Sequence, residues 1–387
     1  MKEGAAMVET PGRNIVDAMK GIYGVNLGAS PGEKVLVFTD LITGGENPDP
    51  TERKRREGLV PLARAAAQAG RELALDVRYI EFPALGSHGT EPGDGLWDLA
   101  FGGEAAGALR EGGLLMRLRA KTAGKEDIEK AREVVGRHRK DAVDAVIALS
   151  NYSTSHTRFR DLLTSVAGTR YASMPLFEED MLQGSMDADW EEVAGLSDRI
   201  ARAVDGGDSV RVTTPAGTDI TFGIKGRRPM TDTGVLREPG SFSNLPAGEV
   251  YLAPVEGTGE GVLVLEWAPN RKLASPLRVV VKGGLAREVA GDEPFARELA
   301  ASFERLGTNR NLAELGIGTN EKASRPDNIL ESEKILGTVH LAFGDNTSMG
   351  GAVSTPFHQD FVFFSPTLTV RAGDAEKTII RSGRLEV

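Results

Sequence analysis

Two short stretches offer an imidazole on a strand face, and one of them adds a carboxylate that can act on the same ion. In TPFHQDFV, His358 and Asp360 are two residues apart, so on an extended strand their side chains share a face. In GTVHLAFG, His340 shares a face with Thr338 and Ala342, while Val339, Leu341 and Phe343 form an apolar reverse side. Two further stretches present a carboxylate in the same manner. Glu249 in EVYLAP stands opposite Val250 and Leu252. Glu314 in ELGIGTN is followed on its own face by Gly316 and Gly318, with Leu315 and Ile317 behind. An ionised carboxylate on a buried strand is costly unless it is paired or bound to metal. Each of these residues alone is an ordinary strand residue. Together, Glu249, Glu314, His340, His358 and Asp360 offer three carboxylates and two imidazoles. That donor set suits zinc, cobalt, manganese or ferrous iron. It exceeds the three protein ligands usual for one catalytic zinc. It fits two divalent ions bridged by a carboxylate.

Other chemistries find less support. Cysteine is absent, which excludes disulfides, thiolate zinc sites, iron–sulfur ligation and cysteine nucleophiles. No H-E-x-x-H occurs, and no G-x-G-x-x-G follows a strand-like segment, so a dinucleotide site is unsupported. Of the remaining histidines, His138 lies in a charged helical stretch and His88 in a glycine-rich loop. His156, in SNYSTSHTRFR, follows a strand end, where α/β domains often bind ligands. The basic run Arg53-Lys54-Arg55-Arg56 is flanked by Glu52 and Glu57 and reads as a solvated helix face.

The elements that must position these residues follow from patterning. The chain has 387 residues, a length that suggests two or three domains. Apolar residues make up 40% and charged residues 26%, enough for a sizeable core. The balance of 46 basic against 56 acidic residues gives −10, which disfavours a nucleic-acid partner. No stretch approaches the ~20 apolar residues of a membrane span. The N-terminal MKEGAAMVETPGRN lacks the apolar run of a signal peptide, so a cytoplasmic protein is expected.

Up to residue 204, strand-like and helix-like segments alternate. EKVLVFTD, LALDVRYIEF and DAVIALS read as strands; LVPLARAAAQAG reads as a helix ending at glycine, and EDIEKAREVVGRHRK as another helix. That alternation predicts a Rossmann-like α/β domain over 1–204, with a parallel sheet and covering helices. From 205 the pattern changes. DSVRVTTPAGTDITFGI reads as a hairpin, and further strand-like segments follow, interrupted by the helical PFARELAASFERLG. This predicts a β-rich α+β metal-binding domain over 205–387.

NLPAGEVYLAP, ELGIGTN, ESEKILGTVHLAFGDN and STPFHQDFV, together with GEKVLVFTD, resemble the motifs of the thermophilic metallo-aminopeptidases typified by aminopeptidases T and S. The resemblance covers most of residues 205–365. It implies a dimer, with an α/β domain preceding a β-rich domain that holds two metal ions. It makes Glu249, Glu314, His340, His358 and Asp360 the metal ligands. It makes Glu333, in ESEKILG, the general base, with Glu331 close by. The implied activity is removal of N-terminal residues from small peptides. Two departures stand out. Glu333 lies seven residues before His340 rather than five, and Thr347 replaces a tyrosine. A related branch is similar to 2,5-dihydroxypyridine dioxygenase, which uses one ferrous ion held by two histidines and an aspartate. There a histidine stands at the position taken as that of Glu314, so glutamate here favours the hydrolase branch. A non-catalytic homologue is the third alternative.

Overall fold

The computed structural model describes residues 14–387; the N-terminal stretch used above to expect a cytoplasmic protein lies almost wholly outside them. The chain divides into two compact units. The first comprises residues up to Tyr171 with Phe177–Gln183 and Arg237–Ser241; the second comprises Ala172–Leu176, Gly184–Leu236 and Phe242–Val387.

The first unit is α/β. Its central strand, Lys34–Leu41, pairs in parallel with Asp76–Pro83 on one side and with Ala145–Ala148 on the other. Six of its eight residues are buried, as a central parallel strand covered on both faces requires. The following helix, Pro50–Glu72, is started by Asp49, whose carboxylate accepts from the Thr51 and Glu52 amides, and by proline in its first turn. The helix does not stop at Gly70, as its sequence suggests. A Cβ at Gly70 would lie 2.7 Å from Val77 and 2.9 Å from the Tyr23 hydroxyl. The glycine permits close packing there and does not act as a cap. Trp97, Phe101 and Phe159 stack in the adjoining core, with ring centroids 5.0–5.7 Å apart.

The second unit is β-rich and antiparallel. An eight-stranded sheet contains the predicted hairpin, Ser209–Thr213 with Asp219–Gly223. A five-stranded sheet runs in the order His358–Phe363, Val339–Gly344, Leu312–Gly318, Glu249–Leu252, Met230–Asp232. Val210, Val212, Ile220 and Phe222 of the larger sheet join Val250, Leu252, Leu315, Ile317, Val339 and Leu341 of the smaller one in a single core. The helix Trp190–Val204, placed with the first domain by its sequence, belongs to this unit. Its Ile200 and Val204 are buried in the same core, so the division falls earlier in the chain than residue 205. Among the described residues, no helix is long and apolar enough to cross a membrane.

Candidate metal centre

From Glu314 onward, after a register shift at Leu312, the five-stranded sheet sorts its residues by parity. One row across it reads Asp360–Ala342–Glu314, the next on the same face Val362–His340–Gly316–Tyr251, and the third Gly318–Glu249–Asp232. The intervening row, Phe361–Leu341–Leu315–Leu252, faces the core. Strand alternation therefore sends every polar group of the cluster to one side and Phe361, Leu341, Leu315 and Leu252 to the other.

All five residues predicted as ligands meet on that face. His340 Nε2 lies 3.4 Å from Glu249 Oε2 and 3.4 Å from Glu314 Oε1. His358 Nε2 lies 3.1 Å from Glu314 Oε2 and 3.4 Å from Asp360 Oδ2. Two ligand sets result, Glu249–Glu314–His340 and Glu314–His358–Asp360, and Glu314 belongs to both. The first set is buried, with the His340 side chain 1% exposed; the second is more open, with His358 27% exposed. His358 Nδ1 donates to the Asp345 carbonyl at 2.7 Å, which orients the ring and leaves Nε2 facing the carboxylates.

The middle of this face is built from glycines that other groups cover. A Cβ at Gly316 would stand 1.9 Å from His340 Nε2, so the imidazole lies directly over that glycine. A Cβ at Gly318 would meet the Ile335 carbonyl at 2.0 Å. Gly316→Ala is therefore expected to expel the His340 ring from the cluster. Overpacking of this kind costs ~1–3 kcal/mol. The expected readings are a lower urea midpoint and loss of metal from the His340 set; an unchanged metal content would contradict this placement of the ring.

The electrostatics describe a site that gathers positive charge. Burial disfavours charged His340, but the Glu314 hydrogen bond and the Glu249 and Glu333 charges outweigh it and raise its pKa to about 9. His358 is raised as well, against burial, by Asp360 and Glu314. Burial would raise Glu314, yet both histidines hold it below the ordinary carboxylate range. Asp360 Oδ1 is buried without a partner. Divalent ions can take the place of the histidine protons, since metal binding requires neutral imidazole and releases those protons. Three carboxylates and two imidazoles converging on one face thus fit zinc, cobalt, manganese or iron.

Glu333 and Glu331 separate clearly. Glu331 Oε1 accepts from the Ser324 and Arg325 amides at 2.6 and 3.1 Å, which commits it to holding a loop. Glu333 Oε2 lies 3.2 Å from Lys334 Nζ at the edge of the cluster. Burial first, then the Asp360 and Glu249 charges, push its pKa up to about 8, against the lowering pull of Lys334 and His340. Sequence reasoning missed Lys334, a lysine only 1% exposed whose Nζ is 2.6 Å from Glu249 Oε1. It also missed Asp232, which pairs with Glu249 across the strands and accepts from the Ser243 hydroxyl. A lysine beside Glu333 in ESEKILG was the one visible signal.

In the first unit the basic run is not a uniformly solvated face. Arg56 is buried against Glu46 at 2.8 Å, and Arg55 donates to Asn151 at 2.8 Å.

The fold has known counterparts. The structure of 2,5-dihydroxypyridine dioxygenase from Pseudomonas putida KT2440 is similar over 96% of both chains, with TM-score 0.64 and 18% identity. Wild-type AmpT from Thermus thermophilus is similar over 97% of this chain and 99% of that one, with TM-score 0.57 and 16% identity. Both are enzymes, and at these identities the likeness shows the fold. Among curated proteins, none matches the chain by sequence. The family model NicX, 2,5-dihydroxypyridine 5,6-dioxygenase, matches residues 118–386, and the chain belongs to that family.

Proposed function

We propose that the chain is a metal-dependent aminopeptidase that releases N-terminal residues from small peptides with two divalent ions. The observation that carries this reading is Glu314, whose two oxygens reach two histidines belonging to different ligand sets. A carboxylate shared in this way suits a pair of ions better than one. Zinc, cobalt or manganese held there would lower the pKa of a water from 15.7 toward ~7 and polarise a carbonyl. Glu249 and His340 would hold one ion, His358 and Asp360 the other, and Glu314 both. Glu333, outside both sets, would take the proton from an attacking water on its carboxylate and return it to the leaving amine. Positive charge nearby would draw its raised pKa back down.

A second reading is favoured by the family model: a mononuclear ferrous dioxygenase that opens a hydroxylated aromatic ring. One experiment separates the two. The purified chain is analysed for metals per chain, then assayed on a panel of short peptides and, in an oxygen electrode, on 2,5-dihydroxypyridine. Two ions per chain with chelator-sensitive peptide cleavage supports the aminopeptidase. One iron with oxygen uptake and no cleavage removes it.

A further inference from the structure

We infer that Lys334 is a built-in cation that makes the two metal positions unequal: the Glu314–His358–Asp360 set takes a divalent ion first and tightly, and the Glu249–Glu314–His340 set takes a second one weakly. This rests on the two-metal reading proposed above and adds an order of filling to it.

The argument begins with where the ammonium is held. Lys334 Nζ is 2.6 Å from Glu249 Oε1 and 3.2 Å from Glu333 Oε2. It is not a surface lysine that could swing away. Its amide donates to the Glu331 carbonyl at 2.9 Å, and its carbonyl accepts from the Asn320 amide at 2.9 Å. The backbone at Lys334 and Ile335 lies against Gly318, where any Cβ would collide with it. Gly318 is itself the strand partner of Glu249. The same glycine therefore lets the lysine backbone approach the carboxylate it neutralises.

The consequence for the two sets follows from their remaining acceptors. In the buried set, one oxygen of Glu249 is committed to the ammonium and only Oε2 faces His340. An ion bound there would sit across one carboxylate from a fixed positive charge, and like charges at that separation repel strongly in a buried site. In the open set, no lysine or arginine pairs with Glu314 or Asp360 among the described residues, and Asp360 Oδ1 is buried without a partner. This set has no ammonium against either carboxylate and keeps a spare ligand atom in Asp360 Oδ1. The Lys334 ammonium is paired with both the Glu249 and the Glu333 carboxylates.

The test is a titration of the metal-free full chain with cobalt(II) against a chromophoric chelator, following bound metal and the cobalt d–d spectrum. Wild type is expected to fill in two steps at least ~10-fold apart, the lower end of what partners around a metal ligand contribute. Lys334→Met is expected to tighten the second step by at least ~10-fold, while Lys334→Arg keeps the steps apart. Glu249→Gln should delete the weak step alone, and Asp360→Asn the tight one. That pair decides the matter even if Lys334→Met does not fold. Equal steps in wild type, unchanged spacing in Lys334→Met, or loss of the tight step in Glu249→Gln would overturn the inference while leaving two ions in place. A single step in wild type, unaffected by Glu249→Gln, would instead remove the two-metal reading beneath it.

Discussion

Glu314→Gln is expected to empty both metal positions at once. The substitution keeps the shape and removes the charge of the one residue common to both sets. Loss of an outer hydrogen-bond partner already costs 10–100-fold in metal affinity, so loss of a shared ligand should exceed ~100-fold. Hydrolysis should fall with it to the level of chelated wild type. The fold should persist, because Leu315 and Ile317 still anchor the strand in the core. The measurement is elemental analysis after gel filtration, with circular dichroism as the control for folding. A folded variant that retains two ions per chain would show that Glu314 bridges nothing.

Glu333→Gln should behave differently, and the contrast is the informative part. Glu333 belongs to neither ligand set, so metal content should stay at the wild-type value. If its carboxylate moves the proton, kcat on a peptide substrate should fall by ~10²–10⁴ with little change in KM. Loss of metal in parallel with activity would make Glu333 a ligand and leave the base unassigned. Glu331→Gln is the matching control. Its carboxylate holds the Ser324 and Arg325 amides, so its removal should lower the melting temperature.

Much of the centre was readable from alternation alone. His358 with Asp360, His340 between small neighbours, and Glu314 before two glycines each announce a polar face backed by an apolar one. What alternation does not carry is which strand lies beside which. Asp232 comes to Glu249 only because the Met230–Asp232 strand closes the edge of the sheet. Lys334 reaches the cluster from a loop after a one-turn helix, with no periodicity to mark it. Glu331 and Glu333 are interchangeable by spacing, and only the backbone amides that Glu331 accepts tell them apart. The same limit explains the basic run. Arg55 is drawn inward by Asn151, 96 residues away, a partner that no local window contains. The helix Trp190–Val204 was legible as a helix, but its allegiance was decided by where Ile200 and Val204 are buried.

The glycines at the centre of the sheet have a bearing on which positions can change. Gly316 lies under the His340 ring, Gly318 under the Ile335 carbonyl and Gly344 under the Phe357 carbonyl, so a side chain at any of the three would displace what rests on it. Val362, Tyr251 and Met230 continue the His340 row to either side of that ring and carry side chains where the glycines carry none. A library built on this sheet should vary those three positions and leave the covered glycines untouched.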